Sequence, residues 1–395
     1  MYSFSIGRIP RIEFGSGSFA KVAEIACRYG QHVLVVTGAQ SFLASPAWQQ
    51  LQGDMAARDC RYSLLQVTGE PSPEWVDSAV VAWGGADVNV VIGIGGGSVL
   101  DAAKALAGLL RPGDTVMNYL EGVGPERPYR GPATPFIAVP TTAGTGSEAT
   151  RNAVLTRHGV DGFKKSFRDE LLVAEYAIVD PDLLADCPPP LIAGNGMDAL
   201  TQLLEAYVSV RANPLTDALA WSGIRAVRKG LLCWYQGGVD VADARAHMAY
   251  AALLSGICLA QVGLGSVHGL AQPLGSLFAI PHGVVCGTLL AAATRVNIDA
   301  LLMRDPGHPA LAKYADVGRL LSACPALDDK AAHHTLLQQL DDWTTQLQLP
   351  ALSSFGITQA DVSQIVANSR GSSMKTNPVP LTDAEIEAIL RLRLF

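Results

Sequence analysis

The amino-acid sequence predicts an α/β protein in which a parallel sheet flanked by helices comes first and an all-α part follows. Three observations lead to this prediction. Apolar runs that suit buried strands alternate with helical segments through the first half of the chain. A glycine-rich turn, Gly95–Ser98, joins one such run to a helix. After the triple proline Pro188–Pro190 the strand pattern ends and only helical periodicity is left.

The length of 395 residues exceeds what one ordinary core needs and predicts two domains. The residues are 49% hydrophobic, so both domains can fill a core. The change of pattern puts the boundary near Asp186, which gives an α/β domain over residues 1–185 and a helical domain over residues 186–395.

The strands and helices of the first domain are marked by local patterns. The run His32–Gly38 is apolar almost throughout, as in a strand buried on both faces. Ser72 and Pro73 suit the N-cap and the first position of a helix, where the missing N–H of proline costs nothing. The predicted elements are an edge strand or hairpin within 1–20, a helix at 18–28, a strand at 32–38, a helix at 45–57, a strand at 62–67, a helix at 73–83, a strand at 87–94, a helix at 99–110 and a strand ending at Pro140.

The second domain is predicted to be nearly all helix, because apolar residues recur there at spacings of three and four. Its apolar content also predicts a homodimer. The predicted helical segments are 192–210, 214–236, 240–260, 265–278, 284–304, 308–324, 330–346 and 382–394.

Charge and hydropathy argue against several classes of protein. The net charge of -7 disfavours a nucleic-acid partner, because a phosphate backbone favours a basic face. No apolar run reaches the roughly 20 uninterrupted residues that cross a bilayer, and the first residues lack the basic start and apolar block of a signal peptide. We therefore expect a cytoplasmic protein with small-molecule partners and no membrane contact. The seven cysteines are scattered without a CxxC pair, which predicts reduced thiols.

Two loops at the ends of apolar strands have the composition of an anion site. In Gly95–Ser98 the glycines let the backbone approach an anion, and the following helix offers unpaired N–H groups and the positive end of its dipole. The second loop, Pro140–Glu148, is crowded with threonines and glycines. Ligands of open parallel sheets bind at the carboxyl ends of strands, so the loops predict a pyrophosphate site. A bare strand-to-helix turn is the alternative for the first loop.

Polar side chains in the helical domain recur at a spacing of four residues. Asp198 and Gln202 form one such pair, and His268 and Gln272 form another. On a helix each pair shares a face. With His282, these residues offer a carboxylate, two imidazoles and an amide, a mixed shell that suits a divalent first-row metal. The alternative to a metal site is that Asp198 caps a helix and Gln202 lies on a solvated face.

Taken together, the motifs resemble those of the iron-containing (group III) alcohol dehydrogenases along nearly the whole chain. The resemblance rests on the order and spacing of Gly95-Gly96-Gly97-Ser98-x-x-Asp101, Pro140-Thr141-Thr142-Ala143-Gly144-Thr145-Gly146-Ser147-Glu148, Asp180-Pro181, Gly196-Met197-Asp198-Ala199-Leu200, His268-Gly269-x-Ala271 and Pro281-His282-Gly283. It implies a Rossmann-like dinucleotide-binding domain and a helical metal- and substrate-binding domain. It also implies NADP or NAD as cofactor and a divalent metal, Fe²⁺ or Zn²⁺.

Carried over by position, the resemblance assigns roles to individual residues. The implied metal ligands are Asp198, His268 and His282, with Gln202 where the family usually has His. The same two histidines and Gln272, which stands where the family often has another His, are the candidates at the reacting centre. The residues implied to bind the cofactor are Gly38, Gly95, Gly96, Gly97, Ser98, Asp101, Thr141, Thr142, Thr145, and Lys164 or Lys165.

Gly38 bears on the choice of cofactor. Many NAD-specific relatives carry Asp at this position, at the end of the first nucleotide strand. Without that carboxylate a 2′-phosphate is not repelled, so NADP is tolerated and NAD remains an alternative.

Two segments carry groups that suit a tetrahedral anion. Arg151 and Asn152 follow the second loop, and Ser373 and Lys375 lie within Arg370–Pro378. With Gln in the Asp-x-x-x-Gln position, the C-terminal segment resembles the subgroup that reduces phosphonoacetaldehyde to 2-hydroxyethylphosphonate; sulfoacetaldehyde reductases are close competitors. The resemblance implies NAD(P)H-linked reduction of a small anionic aldehyde on a metal acting as Lewis acid. Surface charges or salt bridges are the alternative reading of the two cations.

Other functions stay open at this stage. They are a general short-chain alcohol dehydrogenase, a lyase like the dehydroquinate synthases, and a non-catalytic nucleotide-binding relative that has lost its metal. The presence of the glycine loop together with Asp198, His268 and His282 argues against the last.

Overall fold

The structure is a computed structural model that describes residues 3–158 and 162–395. The chain divides into two compact units, of which the first is Ile6–Asp186 and the second is mainly Cys187–Phe395. The first contains all the strands found in the described residues, and the second is helical. The predicted fold class, a parallel sheet with helices followed by a helical part, is confirmed.

The first unit is built on a parallel sheet of six strands in the order β1-β8-β5-β4-β2-β3. A separate antiparallel hairpin is formed by β6 and β7. The strands are β1 (Arg11–Phe14), β2 (His32–Gly38), β3 (Arg61–Val67), β4 (Val90–Gly95), β5 (Phe136–Pro140), β6 (Asn152–Arg157), β7 (Phe163–Arg168) and β8 (Tyr176–Val179). The α-helices are α1 (Val22–Cys27), α2 (Pro46–Ala56), α3 (Pro73–Trp83) and α4 (Gly97–Leu109).

Strand β2 shows why this sheet needs helices on both faces. Successive side chains of a strand point to opposite faces, and those of β2 enter two different hydrophobic clusters. Leu34 and Val36 pack in one cluster with helices α3 and α4, while Val33 and Val35 pack in the other with α1 and α2. A strand that is apolar almost throughout is therefore buried on both sides, as the sequence predicts.

Helix starts follow the predicted chemistry in places and differ in others. Ser72 Oγ accepts a hydrogen bond from Trp75 N at 3.2 Å at the start of α3, with Pro at the first helical position. The helix predicted from residue 18 begins instead as a 3₁₀ turn, Ser18–Lys21, and becomes α-helical at Val22. The strand predicted from residue 87 begins at Val90.

The hairpin of β6 and β7 and the strand β8 are absent from the predicted elements. The hairpin has a poor apolar pattern, because β7 carries Lys164, Lys165 and Arg168 and buries only Phe167 fully. Strand β8 is only four residues long. Short or charged strands give a weak periodic signal.

The second unit is built of α-helices. Each of the eight predicted segments contains a helix, and α12 was not predicted because it has only six residues. The helices are α5 (Pro189–Val208), α6 (Pro214–Gln236), α7 (Val241–Val262), α8 (Ser266–Leu277), α9 (His282–Arg304), α10 (Pro309–Ser322), α11 (Asp329–Gln346), α12 (Val362–Ala367) and α13 (Asp383–Leu392).

Within the described residues, helix α9 alone has the length and hydropathy of a membrane span, and α7 with α8 would qualify only as a pair bent by 99°. Inside the protein, 83% of the apolar window of α9 is buried. The core helix of a folded unit has the same properties.

One pair of cysteines departs from the prediction. Cys27, at the end of α1, and Cys60, just before β3, are joined as a disulfide with their Cα atoms 6.2 Å apart. The prediction of reduced thiols is therefore wrong for this pair. The two residues are 33 apart in sequence and meet because α1 packs against α2, which no local pattern reveals.

Candidate active site

Helix α5 carries the acidic residue at the centre of the candidate metal site. Prolines occupy its first positions, where they leave no backbone N–H without a partner. Asp198 lies in the middle of this helix and is 0% exposed. Helix α9, which packs against α5, begins at His282 directly after Pro281.

Four side chains bring ligand atoms together in the second unit. The ligand atoms of Asp198, His268, His282 and Cys286 all lie within 4.8 Å of one another. Asp198 Oδ1 is 3.3 Å from His268 Nε2 and 3.8 Å from His282 Nε2. The structure thus brings together the aspartate and both histidines that the sequence singles out, and adds a thiol.

The carboxylate of Asp198 is buried without the hydrogen bonds that such a group normally has. No residue that the structure describes donates a well-oriented hydrogen bond to either oxygen. Burial alone would raise its pKa, but the neighbouring imidazoles of His282 and His268 lower the pKa to about 2. Asp198 is therefore an ionised, buried oxygen donor in need of a positive partner.

Glu205 orients one of the histidines. Its Oε2 lies 2.7 Å from His268 Nδ1, and its Oε1 accepts a hydrogen bond from Val267 N at 2.7 Å. Because a carboxylate accepts, Nδ1 carries the proton and Nε2 is left as the ligand nitrogen, facing Asp198. Sequence analysis missed Glu205, although it lies seven residues after Asp198 and thus on the same face of α5.

Both predicted glutamines lie close to identified groups of the second unit. Gln202 is buried, and its Oε1 accepts a hydrogen bond from Ser255 Oγ on α7 at 3.0 Å. Gln272 lies on α8, one turn after His268. A Cβ atom on Gly371 would lie 2.8 Å from Gln272 Oε1, so the backbone passes close to this amide.

The segment that contains Ser373 and Lys375 runs along α8, the helix that carries His268. Asn377 Oδ1 accepts the hydrogen bond from Ser266 N at the start of α8, at 3.0 Å. A Cβ atom on Gly269 would lie 2.9 Å from the terminal methyl of Met374. Lys375 is exposed and Ser373 is half-buried.

The two glycine-containing loops of the first unit lie side by side. Gly95 pairs with Pro140 in the sheet register, and Thr141 N donates to Gly95 O at 3.0 Å. Both loops therefore leave the same edge of the sheet, at the carboxyl ends of β4 and β5, as expected for a phosphate site.

Close packing explains why the first loop is built of glycine. A Cβ atom on Gly97 would lie 2.8 Å from Thr145 Oγ1, and one on Gly96 would lie 3.3 Å from Thr142 Oγ1. Gly97 and Ser98 begin α4, whose N-cap forms no side-chain hydrogen bond. The first N–H groups of this helix suit an anion.

Lys104 ties the two loops together and was missed by sequence analysis. It is 0% exposed, and its Nζ lies 2.7–3.0 Å from four acceptors, namely Ser147 O, Ser147 Oγ, Thr150 Oγ1 and Asn152 O. Asp101 Oδ1 accepts from Ser147 Oγ at 2.6 Å. The second loop is thus bonded to α4 from two successive turns.

Burial shifts the titration of this cluster. It lowers the pKa of Lys104 to about 8, against the opposing attraction of Asp101 and Glu148. It raises the pKa of Glu148 to about 7, against the opposing effects of its own backbone N–H and of Lys104. A helical lysine is usually exposed, so no local pattern indicates that Lys104 is enclosed.

Several predicted binding residues are already paired within the first unit. Lys164 pairs with Glu70, and Arg151 Nη1 lies 2.5 Å from Glu170 Oε1. Asn152 Oδ1 accepts from Arg168 Nε at 2.8 Å.

Two further predicted cofactor residues lie in the same unit. Lys165 lies on the hairpin strand β7, with its Nζ 3.5 Å from the position a Cβ would take on Gly122. Gly38 ends β2, and a Cβ there would meet Val99 Cγ2 at 3.8 Å.

Comparison with known proteins assigns the chain to a family. The family model "Iron-containing alcohol dehydrogenase" matches residues 10–181. The model "Fe-containing alcohol dehydrogenase family, C-terminal" matches residues 192–394. The chain belongs to the iron-containing alcohol dehydrogenase family.

Individual relatives agree over nearly full length. Long-chain-alcohol dehydrogenase 1 of Geobacillus thermodenitrificans is 32% identical over an aligned length of 403. The alignment covers 98% of this chain and 96% of that protein. A solved 1,3-propanediol oxidoreductase has a TM-score of 0.88 at 28% identity, covering 99% of this chain and 100% of the other. The sulfoacetaldehyde reductase of Bifidobacterium kashiwanohense, solved with NAD⁺, has a TM-score of 0.84 at 26% identity, covering 100% and 99%.

The protein is therefore an oxidoreductase of the alcohol dehydrogenase type that uses NAD(P) and a divalent metal. Its own residues fit both groups. The buried, unbonded carboxylate of Asp198 beside two imidazoles suits a divalent cation. The first N–H groups of α4, whose N-cap forms no side-chain hydrogen bond, suit the pyrophosphate of a dinucleotide.

Proposed function

We propose that the protein is a metal-dependent NAD(P)H-linked reductase of a small anionic aldehyde, with phosphonoacetaldehyde, which gives 2-hydroxyethylphosphonate, as the representative substrate. The observation that supports it best is the packing of the segment 369–377 along α8. This packing attaches the segment that carries Ser373 and Lys375 to the helix that carries His268 and Gln272. A cation and hydroxyl groups suit the oxygens of a phosphonate or sulfonate.

In this proposal the helical unit holds the metal and orients the substrate oxygen. Asp198 supplies a negative ligand, and Glu205 keeps His268 Nε2 directed at the same point. A bound metal would supply Lewis-acid chemistry at the carbonyl, and a bound nicotinamide would supply the hydride. Gln272 does not titrate, so it orients by hydrogen bonding and leaves proton transfer to water.

In the first unit, we propose that the loops at 95–98 and 140–148 bind the dinucleotide. The N–H groups at the start of α4 would hold the pyrophosphate, and Thr141, Thr142 and Thr145 would line it. Lys164 is held by Glu70, so Lys165 is the lysine we assign to the nucleotide. The predicted homodimer and cytoplasmic location stay predictions.

Two relatives define the competing substrates. The sulfoacetaldehyde reductase, at 26% identity, favours a sulfonate, whose three oxygens present the same tetrahedral anion. The long-chain-alcohol dehydrogenase, at 32% identity, favours a neutral substrate. Arg151 is already paired with Glu170, so we assign the anion chiefly to Lys375.

The test is the rate of NADPH and NADH oxidation by the metal-loaded protein with phosphonoacetaldehyde, sulfoacetaldehyde and propanal. We expect the phosphonate to have the highest kcat/KM. Lys375→Ala should raise KM for the anionic aldehydes by about 10-fold and leave propanal unchanged, because one charge-assisted hydrogen bond is lost. Lys330→Ala, an exposed lysine on α11, is the control. A preference for propanal would agree with the alcohol dehydrogenase activity of the family and would refute the proposal that the substrate is anionic.

We propose that the protein accepts NADP because Gly38 stands where a carboxylate would repel the 2′-phosphate. A Cβ at this position meets Val99 at an ordinary contact distance, so the backbone environment accepts the Cβ of Gly38→Asp. We expect the ratio of kcat/KM for NADPH over NADH to fall by about 10-fold or more, because the new charge repels a 2′-phosphate. Gly38→Asn is the neutral, equal-sized control, and an equal change in both variants would show a steric cause.

A further inference from the structure

We propose that Cys286 is the fourth protein ligand of the metal, binding as a thiolate beside Asp198, His268 and His282. This inference rests on the metal dependence of the proposed function and names a ligand for the same site. It replaces Gln202, which the resemblance to the family would place in the ligand set.

The first support is the geometry of the four ligand atoms. Cys286 Sγ lies 3.6 Å from His268 Nε2 and 3.7 Å from His282 Nε2. Asp198 Oδ1 lies 3.3 and 3.8 Å from the same nitrogens. Ligand distances of about 2.0–2.3 Å around a tetrahedral ion separate neighbouring ligand atoms by about 3.3–3.8 Å. All four separations agree with one ion at the centre.

The second support is the position of Cys286 in the fold. It lies four residues after His282 at the start of α9, so both side chains leave the same face of the helix. Cys286 is fully buried. No described residue donates a well-oriented hydrogen bond to either oxygen of Asp198, so the carboxylate beside the thiol is an independent feature that suits a cation.

The amide of Gln202 is the weaker candidate for the fourth ligand. Its Oε1 already accepts the hydrogen bond of Ser255 Oγ, and a neutral amide oxygen adds no negative charge. A thiolate and a carboxylate together cancel the charge of a divalent ion. Binding releases the thiol proton to solvent as the metal–sulfur bond forms, with no change of oxidation state.

A sulfur ligand changes which metal the site prefers. Thiolate with imidazole in a tetrahedral shell favours Zn²⁺ over Fe²⁺, which is better served by imidazole and carboxylate. The substrate oxygen would enter as a fifth ligand. We therefore expect Zn²⁺ to be bound more tightly than Fe²⁺.

The test uses the optical spectrum of the full-length protein loaded with Co²⁺, without substrate. Thiolate coordination gives an intense near-ultraviolet charge-transfer band. We expect the band in the wild-type protein and its loss in Cys286→Ser, with metal affinity lower by about 10-fold or more. The matched control is Cys258→Ser, a buried cysteine on α7 whose Sγ donates to Thr216 O, which should keep the band.

Further measurements keep the test decisive if a variant misfolds. X-ray absorption of the wild-type zinc protein should show one sulfur at about 2.3 Å, and a shell of only nitrogen and oxygen would overturn the proposal. So would a band that persists in Cys286→Ser, or loss of metal in Gln202→Ala but not in the cysteine variant. A charge-transfer band without turnover of the anionic aldehydes would support Cys286 as a ligand and refute the proposed substrate. Turnover of these aldehydes by the Co²⁺ protein without a band would support the substrate and refute Cys286 as a ligand.

Discussion

Each unit of the molecule contains a charged side chain that is fully buried, and the hydrogen bonding of the two side chains differs. In the first unit the ammonium of Lys104 lies within hydrogen-bond distance of four acceptors. In the second unit no described residue donates a well-oriented hydrogen bond to the carboxylate of Asp198. Both side chains are 0% exposed.

The difference separates a structural charge from a binding charge. A buried ion whose hydrogen bonds are all made within the protein needs nothing from outside. A buried ion without them stores an unfavourable desolvation energy that a ligand of opposite charge can relieve. We therefore expect changes at Lys104 to affect folding and changes at Asp198 to affect metal binding.

The largest effect is expected for Asp198→Asn. The amide keeps the shape but removes the negative ligand, so bound metal should be lost and turnover should fall by about 1000-fold or more. Metal analysis and steady-state kinetics measure both. Asp299→Asn, at an exposed position of α9, serves as control. A variant that keeps the metal content of the wild type would show that the carboxylate is not a ligand.

Lys104→Met is expected to act on stability instead. It leaves the acceptors of the second loop and Asp101 buried without their cation, so the free energy of unfolding should fall by about 3–5 kcal/mol. Urea denaturation measures this loss, and hydrogen exchange over residues 136–157 should place it in the first unit. Metal content per folded protein should stay unchanged. If Lys104→Met is as stable as the exposed control Lys229→Met, the buried ammonium of Lys104 has no structural role.

Glu205→Gln tests the orientation of His268 within the metal cluster. Both oxygens of Glu205 are bonded, one to His268 Nδ1 and one to Val267 N. An amide can satisfy only one of these donors, so His268 should lose its fixed orientation and metal affinity should fall by about 10- to 100-fold. Competition with a metal-sensitive dye reports the affinity. Equal affinity in Glu205→Gln and in the control Glu387→Gln would remove the orienting role.

A pH dependence of stability belongs to the lysine cluster. Burial raises the pKa of Glu148 from 4.5 to about 7, so between these values the folded state holds a proton that the unfolded state has released. The free energy of unfolding should therefore decrease as pH rises from about 4.5 to 7, by up to about 3 kcal/mol. Glu148→Gln should abolish this slope, as denaturation curves across this range would show. An unchanged slope would refute the assignment.

The sequence predicted what depends on local pattern. Apolar runs and caps gave the parallel sheet and most helix starts, and the spacing of Asp198, His268 and His282 singled out side chains that the structure brings together. The roles of these residues in metal binding and catalysis remain proposals. Family resemblance gave the activity class, which the comparisons support.

What the sequence did not reveal depends on partners far along the chain. Lys104 looks like any helical lysine until Ser147 and Thr150, more than 40 residues later, enclose it. Cys286 is predicted only as a reduced thiol, because nothing in the neighbouring sequence shows that it meets His268. Glu205 is an ordinary helical residue until α8 presents an imidazole to it.

The start of α9 has a consequence for the field at the metal. His282 is the first residue of this 23-residue helix, and Cys286 follows one turn later. A helix carries a partial positive charge of roughly half a unit at its N-terminus, from backbone dipoles that do not titrate or dissociate. That charge favours an alkoxide, the thiolate that we propose for Cys286 and the carboxylate of Asp198. The cluster thus keeps part of its attraction for negative oxygen whichever divalent ion it binds.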